Sequence, residues 1–564
     1  MIHRRVLLTS LLASTALARA ATAAPRKAAK RPNIVTIVLD DVGFSDLGCF
    51  GSEIRTPNMD RLAARGLRYN RFDTKAVCST TRAAMFTGRN GHTVNMPDVP
   101  DLGMVAPAGS FPKNAFHIPH NAQTFAQALK GAGYANWIVG KWHLIPKEQL
   151  GADAERGDWP LQRGFDYFYG FARGWTDQYR PDLVENNGYI RPTLPADYHL
   201  SSDLADKAIA LVGEHRRKAP DQPFFLHLAL GVAHAPLQVP ARYADAYAGV
   251  YDKGWDEIRR QRFARMKELG VIPADTALPP PNEGDRPWTA LSEDEKAVFT
   301  RYMEVYAGFM QHADEQVGRL LDILDDDTLV VLFSDNGAAS EAGQAGEFNG
   351  LYRPNTLAPA KQRARLAELG TAQTQAAYPR PWAMAGVTPF RRYKLWPYLG
   401  GVRTPLIVSW PARIKDGGAV RSQYVDVIDI GPTLLEAAGA RFAEVVDGER
   451  QLPVAGRSFG ASFANPRAPA RTTQYFELRG NRAITDGGWR AVAMHKCGTP
   501  FEADRWELYN TEVDYAETVD LAQRHPQVLA RLQRLWAQEW ERYGSGPLAQ
   551  PSDLLCRFAR YFDE

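Results

Sequence analysis

The chain has 564 residues, 45% of them hydrophobic and 23% charged, enough apolar material for a large buried core and too balanced for a disordered or fibrous chain. Its 67 basic and 64 acidic side chains give a net charge of +3, and removing the first 23 residues, which hold Arg4, Arg5 and Arg19 and no acid, leaves 64 of each sign. Nucleic-acid binding through a broad basic surface is therefore disfavoured, and the one apolar run that approaches the roughly 20 residues needed to span a bilayer lies at the very start.

That start reads as an address. Residues 1–5 are basic, 6–18 are apolar, and Ala18-Arg19-Ala20 or Ala21-Thr22-Ala23 suits a signal peptidase, so the chain is expected to be exported, to a periplasm or beyond. Arg4-Arg5 before Val6-Leu7-Leu8 also fits a twin-arginine signal; a chance pair of arginines is the alternative. Residues 27–31 form a basic lead-in. The four cysteines, Cys49, Cys78, Cys497 and Cys556, are too few for a disulfide scaffold, although Cys497 and Cys556 could form one bridge after export.

Further along, apolar runs short enough for strands alternate with helical patterns, the arrangement of parallel strands covered on both faces. Residues 34–39 read as a strand, 58–64 as a helix opened by Thr56-Pro57 and stopped by Gly66, and 67–72 as extended chain. A helix over 124–129 ends at Gly131 and Gly133 and leads to a strand over 135–139. Residues 224–230, 329–333 and 405–410 read as strands, and a helix over 430–438 stops at Gly439. Two stretches break the rhythm: 251–288, with a charged amphipathic helix around 259–269 and a Pro279-Pro280-Pro281 end, and the Ala- and Gln-rich 355–380. Both are expected as surface excursions that wall a cleft. Beyond about Pro466, strand-like runs at 473–476, 489–493 and 506–509 precede a closing helix over 526–543. The expectation is an α/β fold with a large mixed, mostly parallel sheet sandwiched by helices over 31–465, and a smaller C-terminal α+β unit over 466–564.

In open parallel sheets, ligands bind beyond the carboxyl ends of the strands, where loops from several strands converge. Here the run 34–39 ends in Asp40-Asp41, 329–333 in Ser334-Asp335-Asn336, 135–139 in Gly140-Lys141-Trp142-His143, and 224–230 leads to His234. One such carboxylate would read as a turn residue or helix cap. Asp40, Asp41, Asp335 and Asn336 together offer only hard oxygen atoms, a set that suits calcium or magnesium better than zinc. Cys78-Ser79-Thr80-Thr81-Arg82 precedes a helix-like run over 82–86 that closes at Thr87-Gly88-Arg89. A helix entrance can hold a tetrahedral oxyanion beside Cys78 and Arg82, whereas an isolated cysteine is more often a buried small hydrophobe.

Taken in order, Arg31-Pro32-Asn33-Ile34, Thr56-Pro57-Asn58-Met59-Asp60, the segment 78–89, Gly140-Lys141-Trp142-His143, Ala233-His234-Ala235-Pro236, Ser334-Asp335-Asn336-Gly337, Gly400-Gly401-Val402-Arg403-Thr404-Pro405 and Trp506-Glu507-Leu508-Tyr509-Asn510 resemble a type I sulfatase of the alkaline phosphatase superfamily, most of all the bacterial arylsulfatases. The resemblance covers essentially the whole chain after the leader.

It implies that Cys78 is oxidised to Cα-formylglycine by a formylglycine-generating enzyme, and that the hydrated aldehyde attacks the sulfur of a small-molecule sulfate ester and then expels sulfate. It implies calcium, with magnesium second, held by Asp40, Asp41, Asp335, Asn336 and the oxidised side chain of Cys78. By the same carry-over Arg82 and Lys141 orient the nucleophile, His143 assists sulfate elimination, and His234 and Lys394 serve the sulfate and the leaving oxygen. Three positions depart from the family pattern: Thr80 stands where proline or alanine is usual, Leu399 where a glutamate precedes the Gly-Gly pair, and Val387 where asparagine is common. The competing readings are a phosphodiester or phosphonate monoester hydrolase of the same superfamily, and a non-catalytic sulfate-binding protein. Trp175, Tyr179, Trp382 and Trp396 could line an apolar subsite or belong to the core.

Overall fold

In the computed structural model, which describes residues 31–556 apart from 108, 152, 351–355 and 553–554, the apolar run after Pro32 forms the central strand β1 (Asn33–Leu39). Successive side chains of a strand face opposite ways: Val35, Ile37 and Leu39 enter one apolar core, and Ile34 and Val38 enter another on the opposite face. Burial on both faces explains why the sequence here is a continuous apolar run.

The main sheet has ten strands: β1, β2 (Leu67–Tyr69), β3 (Ala135–Lys141), β4 (Tyr167–Phe171), β5 (Val184–Glu185), β6 (Gly188–Tyr189), β7 (Phe224–Ala229), β8 (Thr328–Ser334), β9 (Leu406–Ser409) and β10 (Val420–Arg421). Their spatial order is β10-β2-β9-β8-β1-β7-β3-β4-β5-β6. From β8 to β4 all neighbours are parallel. The strand expected over 405–410 runs antiparallel to β8, Leu406 pairing with Phe333 and Ser409 with Val330. The chain enters β9 at the carboxyl end of β8, where the Gly337 amide donates to the Gly401 carbonyl (3.0 Å), so it can only run back.

Helices α1 (Pro57–Arg65), α2 (Cys78–Thr87), α3 (Phe125–Gly131), α4 (Leu200–Lys218), α5 (Gly254–Glu268), α6 (Glu293–Leu321) and α7 (Ile430–Ala437) cover the sheet. α1, α4, α5 and α6 pack on one face, and α2, α3 and α7 supply the core of the other. α4 and α6 were not expected from the sequence, although Ser292 and Glu295 form a capping box at the start of α6.

The stretch 251–288 is not the surface excursion expected of it. Trp255, Ile258 and Met266 of α5 are in the core, and the fully buried Arg262 donates to Asp46 (2.5 Å) and to Glu53 (2.8 Å). Of the stretch 355–380, Ala377 and Tyr378 line a small pocket together with Asp41 and His234, and the Ala376 carbonyl accepts from the Leu237 amide beyond β7 (2.8 Å).

Beyond Pro466 lies an antiparallel four-stranded sheet, β11 (Thr473–Leu478), β12 (Asn481–Asp486), β13 (Trp489–Ala493) and β14 (Trp506–Asn510), packed against α8 (Pro526–Tyr543) through Ile484, Leu508, Leu532 and Trp536. Strand β12 was not expected. Cys497 and Cys556 are bonded to each other. No helix among the described residues is long and apolar enough to cross a membrane; the expected export signal lies outside them.

Candidate active site

Six chain segments deliver polar side chains to the carboxyl edge of the sheet. Beyond β1, Asp41 adopts a left-handed conformation (φ 62), one that aspartate tolerates better than most residues, and so Asp40 and Asp41 both face inward. Beyond β8, Asp335 joins them, and oxygen atoms of the three carboxylates lie within 4.8 Å of one another. Ser334 Oγ ties the two strand ends together, accepting from the Val42 amide (2.9 Å) and donating to the Asn336 carbonyl (3.0 Å). Asn336 Nδ2 donates to Asp41 Oδ1 (2.6 Å), while its amide oxygen, buried, has no partner among the described residues.

Such crowding perturbs the carboxyl groups. Burial, reinforced by Asp335 and Asp41 and opposed by Lys141, pushes Asp40 up to about 7. Asp41 is equally buried, yet Lys394, His234, Lys141 and the Asn336 amide outweigh that burial and hold it at about 2. Like charges packed this closely ionise together only with cations among them. Those the chain itself supplies are Lys141, whose Nζ lies 2.9 and 2.7 Å from the oxygens of Asp40, Lys394, 2.9 Å from Asp41 and 2.6 Å from Glu341, and Arg82, which donates from Nε (3.0 Å) and Nη2 (2.7 Å) to Asp335.

Lys141 ends β3, and its approach to Asp40 depends on Gly140. That glycine has φ 111, and a Cβ there would lie 1.8 Å from the Ala229 carbonyl oxygen of β7. His143 follows, also left-handed (φ 60). Its Nδ1 lies 3.3 Å from Cys78 Sγ and its Nε2 2.6 Å from Asp101 Oδ2. Burial, together with Lys141, lowers its pKa to about 4 against the pull of Asp101. His234 Nδ1 donates to the Ala235 carbonyl (2.6 Å), which turns Nε2 toward Asp41 (3.7 Å).

Cys78 is the first residue of α2, so the helix begins earlier than the sequence reading had it. Serine and threonine compete with the backbone at a helix start when their hydroxyls lack other partners. Two of the three here have partners: Ser79 donates to the His143 carbonyl (2.8 Å), and Thr81 accepts from the Lys75 amide (2.9 Å) and donates to the Lys75 carbonyl (2.8 Å), while the buried Thr80 hydroxyl has none among the described residues. The Cys78 side chain is almost fully buried, and burial pushes its thiol up to about 12 despite Lys141 and Lys394.

The ten residues singled out from the sequence, Asp40, Asp41, Cys78, Arg82, Lys141, His143, His234, Asp335, Asn336 and Lys394, are thus linked by direct contacts or line one cavity. It has a volume of about 360 Å³ and opens over Cys78, His143, His234 and Lys394, within the size range of small-ligand sites. Sequence reasoning missed Asp101, Arg173, Glu341 and Arg479, which also line it. Of the aromatic candidates Trp175 lines the cavity and Tyr179, Trp382 and Trp396 do not. Trp382 is core, its Nε1 donating to the Phe299 carbonyl (2.9 Å), and Trp396 is buried against Tyr393. Val387 and Leu399 are buried too; Glu517 accepts from the Leu399 amide (3.0 Å).

The family model "Sulfatase" matches residues 32–440, and that of the N-sulphoglucosamine sulphohydrolase C-terminal region matches 392–539. The chain is 32% identical to an uncharacterized sulfatase of Schizosaccharomyces pombe over 93% of this chain and 96% of that one. It is 30% identical to an arylsulfatase of Klebsiella aerogenes over 80% and 95%. Among solved structures, Ps i-CgsB in complex with a neocarrahexaose superposes with a TM-score of 0.62 at 22% identity, over 94% of this chain and 97% of that one, a likeness of fold. With its main family model spanning most of the sequence and a 30% identical relative matched along nearly its whole length, the chain belongs to the sulfatase family, the sulfuric ester hydrolases.

Proposed function

We propose that the chain splits a sulfate ester into an alcohol or phenol and inorganic sulfate, using Cys78 oxidised to Cα-formylglycine and a calcium ion held by Asp40, Asp41, Asp335 and Asn336, with the oxidised side chain at position 78 as a further ligand. The observation that carries this reading is the convergence of three buried carboxylates and one unpartnered amide oxygen, joined through the contacts of Lys394 and His234 with Asp41 to a cavity that Cys78, Lys394 and His234 line. The donors are all hard oxygens at one point, which fits calcium, and magnesium less well for want of a rigid octahedral frame. When bound, the ion supplies positive charge for the sulfate oxygens and lowers the cost of ionising the nucleophile. Formylglycine, installed by a formylglycine-generating enzyme, supplies a hydrated aldehyde in place of a thiol that burial keeps protonated.

The chain's own groups then have distinct tasks. Arg82 fixes Asp335 through two donors, and Lys141 does the same for Asp40. Asp101 accepts the Nε2 proton of His143 and so leaves the Nδ1 lone pair directed at residue 78, where the ring can take a proton as sulfate departs. Lys394 and His234, both on the cavity wall, meet the remaining sulfate oxygens and the charge that develops on the leaving oxygen. The first 23 residues support export to the periplasm or the exterior.

Trypsin releases residues 76–82 as one peptide, cutting after Lys75 and Arg82. Its mass should show an aldehyde at position 78 in active protein. Parallel assays of an aryl sulfate and a bis-aryl phosphate, each with and without a chelator, should show turnover of the sulfate and its loss on chelation. An intact thiol in fully active protein, or preference for the phosphate ester, overturns the proposal.

A further inference from the structure

The cavity over Cys78 has two unlike halves. One side is polar, lined by Cys78, His143, His234, Glu341 and Lys394; its upper wall is apolar, made by Val77, Val99, Leu102, Val105, Trp175 and Leu395. Leu102 and Val105 are the first and last residues of a one-turn helix (Leu102–Val105), three apart and hence on one side. Val105 is 63% exposed although it lines the cavity, so an apolar side chain is left to water at the rim.

The polar groups of that upper part are already engaged. Asp101 accepts from His143 (2.6 Å) and from Arg173 Nη2 (2.9 Å) and Nε (3.1 Å). Arg479, reaching in from the turn between β11 and β12, donates to Asp98 through Nε (2.7 Å) and Nη2 (3.1 Å). Glu341 is paired with Lys394 (2.6 Å). A sugar ring presents hydroxyls on every edge and needs hydrogen-bonding groups with capacity to spare, while a second anionic group would need a cation that no carboxylate has claimed. An uncharged apolar group asks for neither and removes the exposed surface of Val105 and Trp175 from water.

Building on the proposed hydrolysis, we infer that the substrate is the monosulfate of an uncharged, apolar alcohol or phenol, and that the segment from Val99 to Val105, facing Trp175, selects it. Asp101 belongs to the same segment, so the stretch that receives the leaving group also holds His143.

The test compares 1-naphthyl sulfate with glucose 6-sulfate. Native protein should favour the naphthyl ester in kcat/KM by about 100-fold, and Val105→Asp and Leu102→Asn should each shrink that ratio by about tenfold. Val105 lies at the surface, so its substitution does not threaten folding. Equal or better turnover of the sugar ester, or an unchanged ratio in Val105→Asp, overturns the inference. Calorimetric titration of both esters into the Cys78→Ala protein separates this claim from the one beneath it. Tighter binding of the naphthyl ester, with no turnover of either ester by native protein, would sink the hydrolase reading and keep the pocket's selectivity. Equal binding of the two would remove the selectivity even in an active hydrolase.

Discussion

His143 stands between Asp101 and Cys78, 2.6 Å from the carboxylate on one side of its ring and 3.3 Å from sulfur on the other. The ring is buried and favours the neutral form, and a neutral imidazole carries one proton. Asp101 decides which nitrogen has it. Asp101→Asn can donate to Nε2 and would place the proton on Nδ1, facing residue 78. The expected result is a fall of about 100-fold in kcat with a small change in KM. Gly174→Ala offers an independent check, since a Cβ there would lie 2.8 Å from the His143 ring and 3.3 Å from Asp101; it should lower kcat in the same direction. Steady-state kinetics on both variants measures this.

The carboxylate cluster predicts that a divalent cation stabilises the protein as well as activating it. Protein stripped with a chelator should melt at a lower temperature and regain both stability and activity on addition of calcium. At a hundredfold excess over the dissociation constant the stabilisation amounts to about 2.7 kcal/mol. Asp335→Asn removes a negative charge from the cluster and leaves Arg82 buried without its anionic partner, so it should sharply weaken the calcium response. Melting curves with and without calcium are the measurement.

Glu517 and Arg490 form a fully buried pair (2.9 Å) that joins the small sheet to the approach of the Gly400-Gly401 turn, for Glu517 also accepts from Leu399 N and Arg490 donates to the Pro397 carbonyl. Glu517→Leu strands the guanidinium in the interior and should cost about 3–5 kcal/mol, while Glu517→Leu combined with Arg490→Met should recover much of that loss. Urea unfolding midpoints of the two variants would show it.

His199 and His312 meet edge to face in the interior, their ring centroids 4.3 Å apart. Burial lowers His199 from 6.5 to about 4 and His312 from 6.5 to about 2. Both rings are neutral in the folded chain above these values, whereas the unfolded chain takes up protons below 6.5. Their contribution to stability is therefore complete above pH 6.5 and is lost progressively as the pH falls toward 4. Replacing His312 with Phe should flatten the decline of the urea midpoint over this window, and an unchanged slope would show that other groups govern it.

The carboxylates of the site were legible in the sequence because Asp40-Asp41 and Asp335 directly follow strands. An apolar run that stops at Asp40-Asp41 or Ser334-Asp335-Asn336 states its position, and a parallel sheet brings such stops to one edge. Lys394 stood out only through the family resemblance. The rim was not legible: Asp101, Arg173, Glu341 and Arg479 sit in segments without periodicity, and no local pattern reports where such a segment folds back. The hairpins around the missed strand β12 could have been found. Arg479-Gly480 and Gly487-Gly488 are two-residue turns with positive φ throughout, a geometry that Gly-Gly before Trp489 advertises. α6 was overlooked although its apolar residues recur at helical spacing, and the antiparallel direction of β9 within the expected mixed sheet was not legible because a strand pattern carries no sign.

Placing the hydrolytic groups on strand ends and the selecting groups on the intervening segments has a consequence for the history of such a molecule. On this reading a change at Val99, Leu102, Val105 or Trp175, though not at Asp101, alters which alcohol is admitted, yet it leaves the distance between Lys141 and Asp40 to the backbone of β1 and β3, two strands of one sheet with β7 between them. New substrates can therefore be acquired by editing a few solvent-facing positions, while the machinery that breaks the bond is inherited intact.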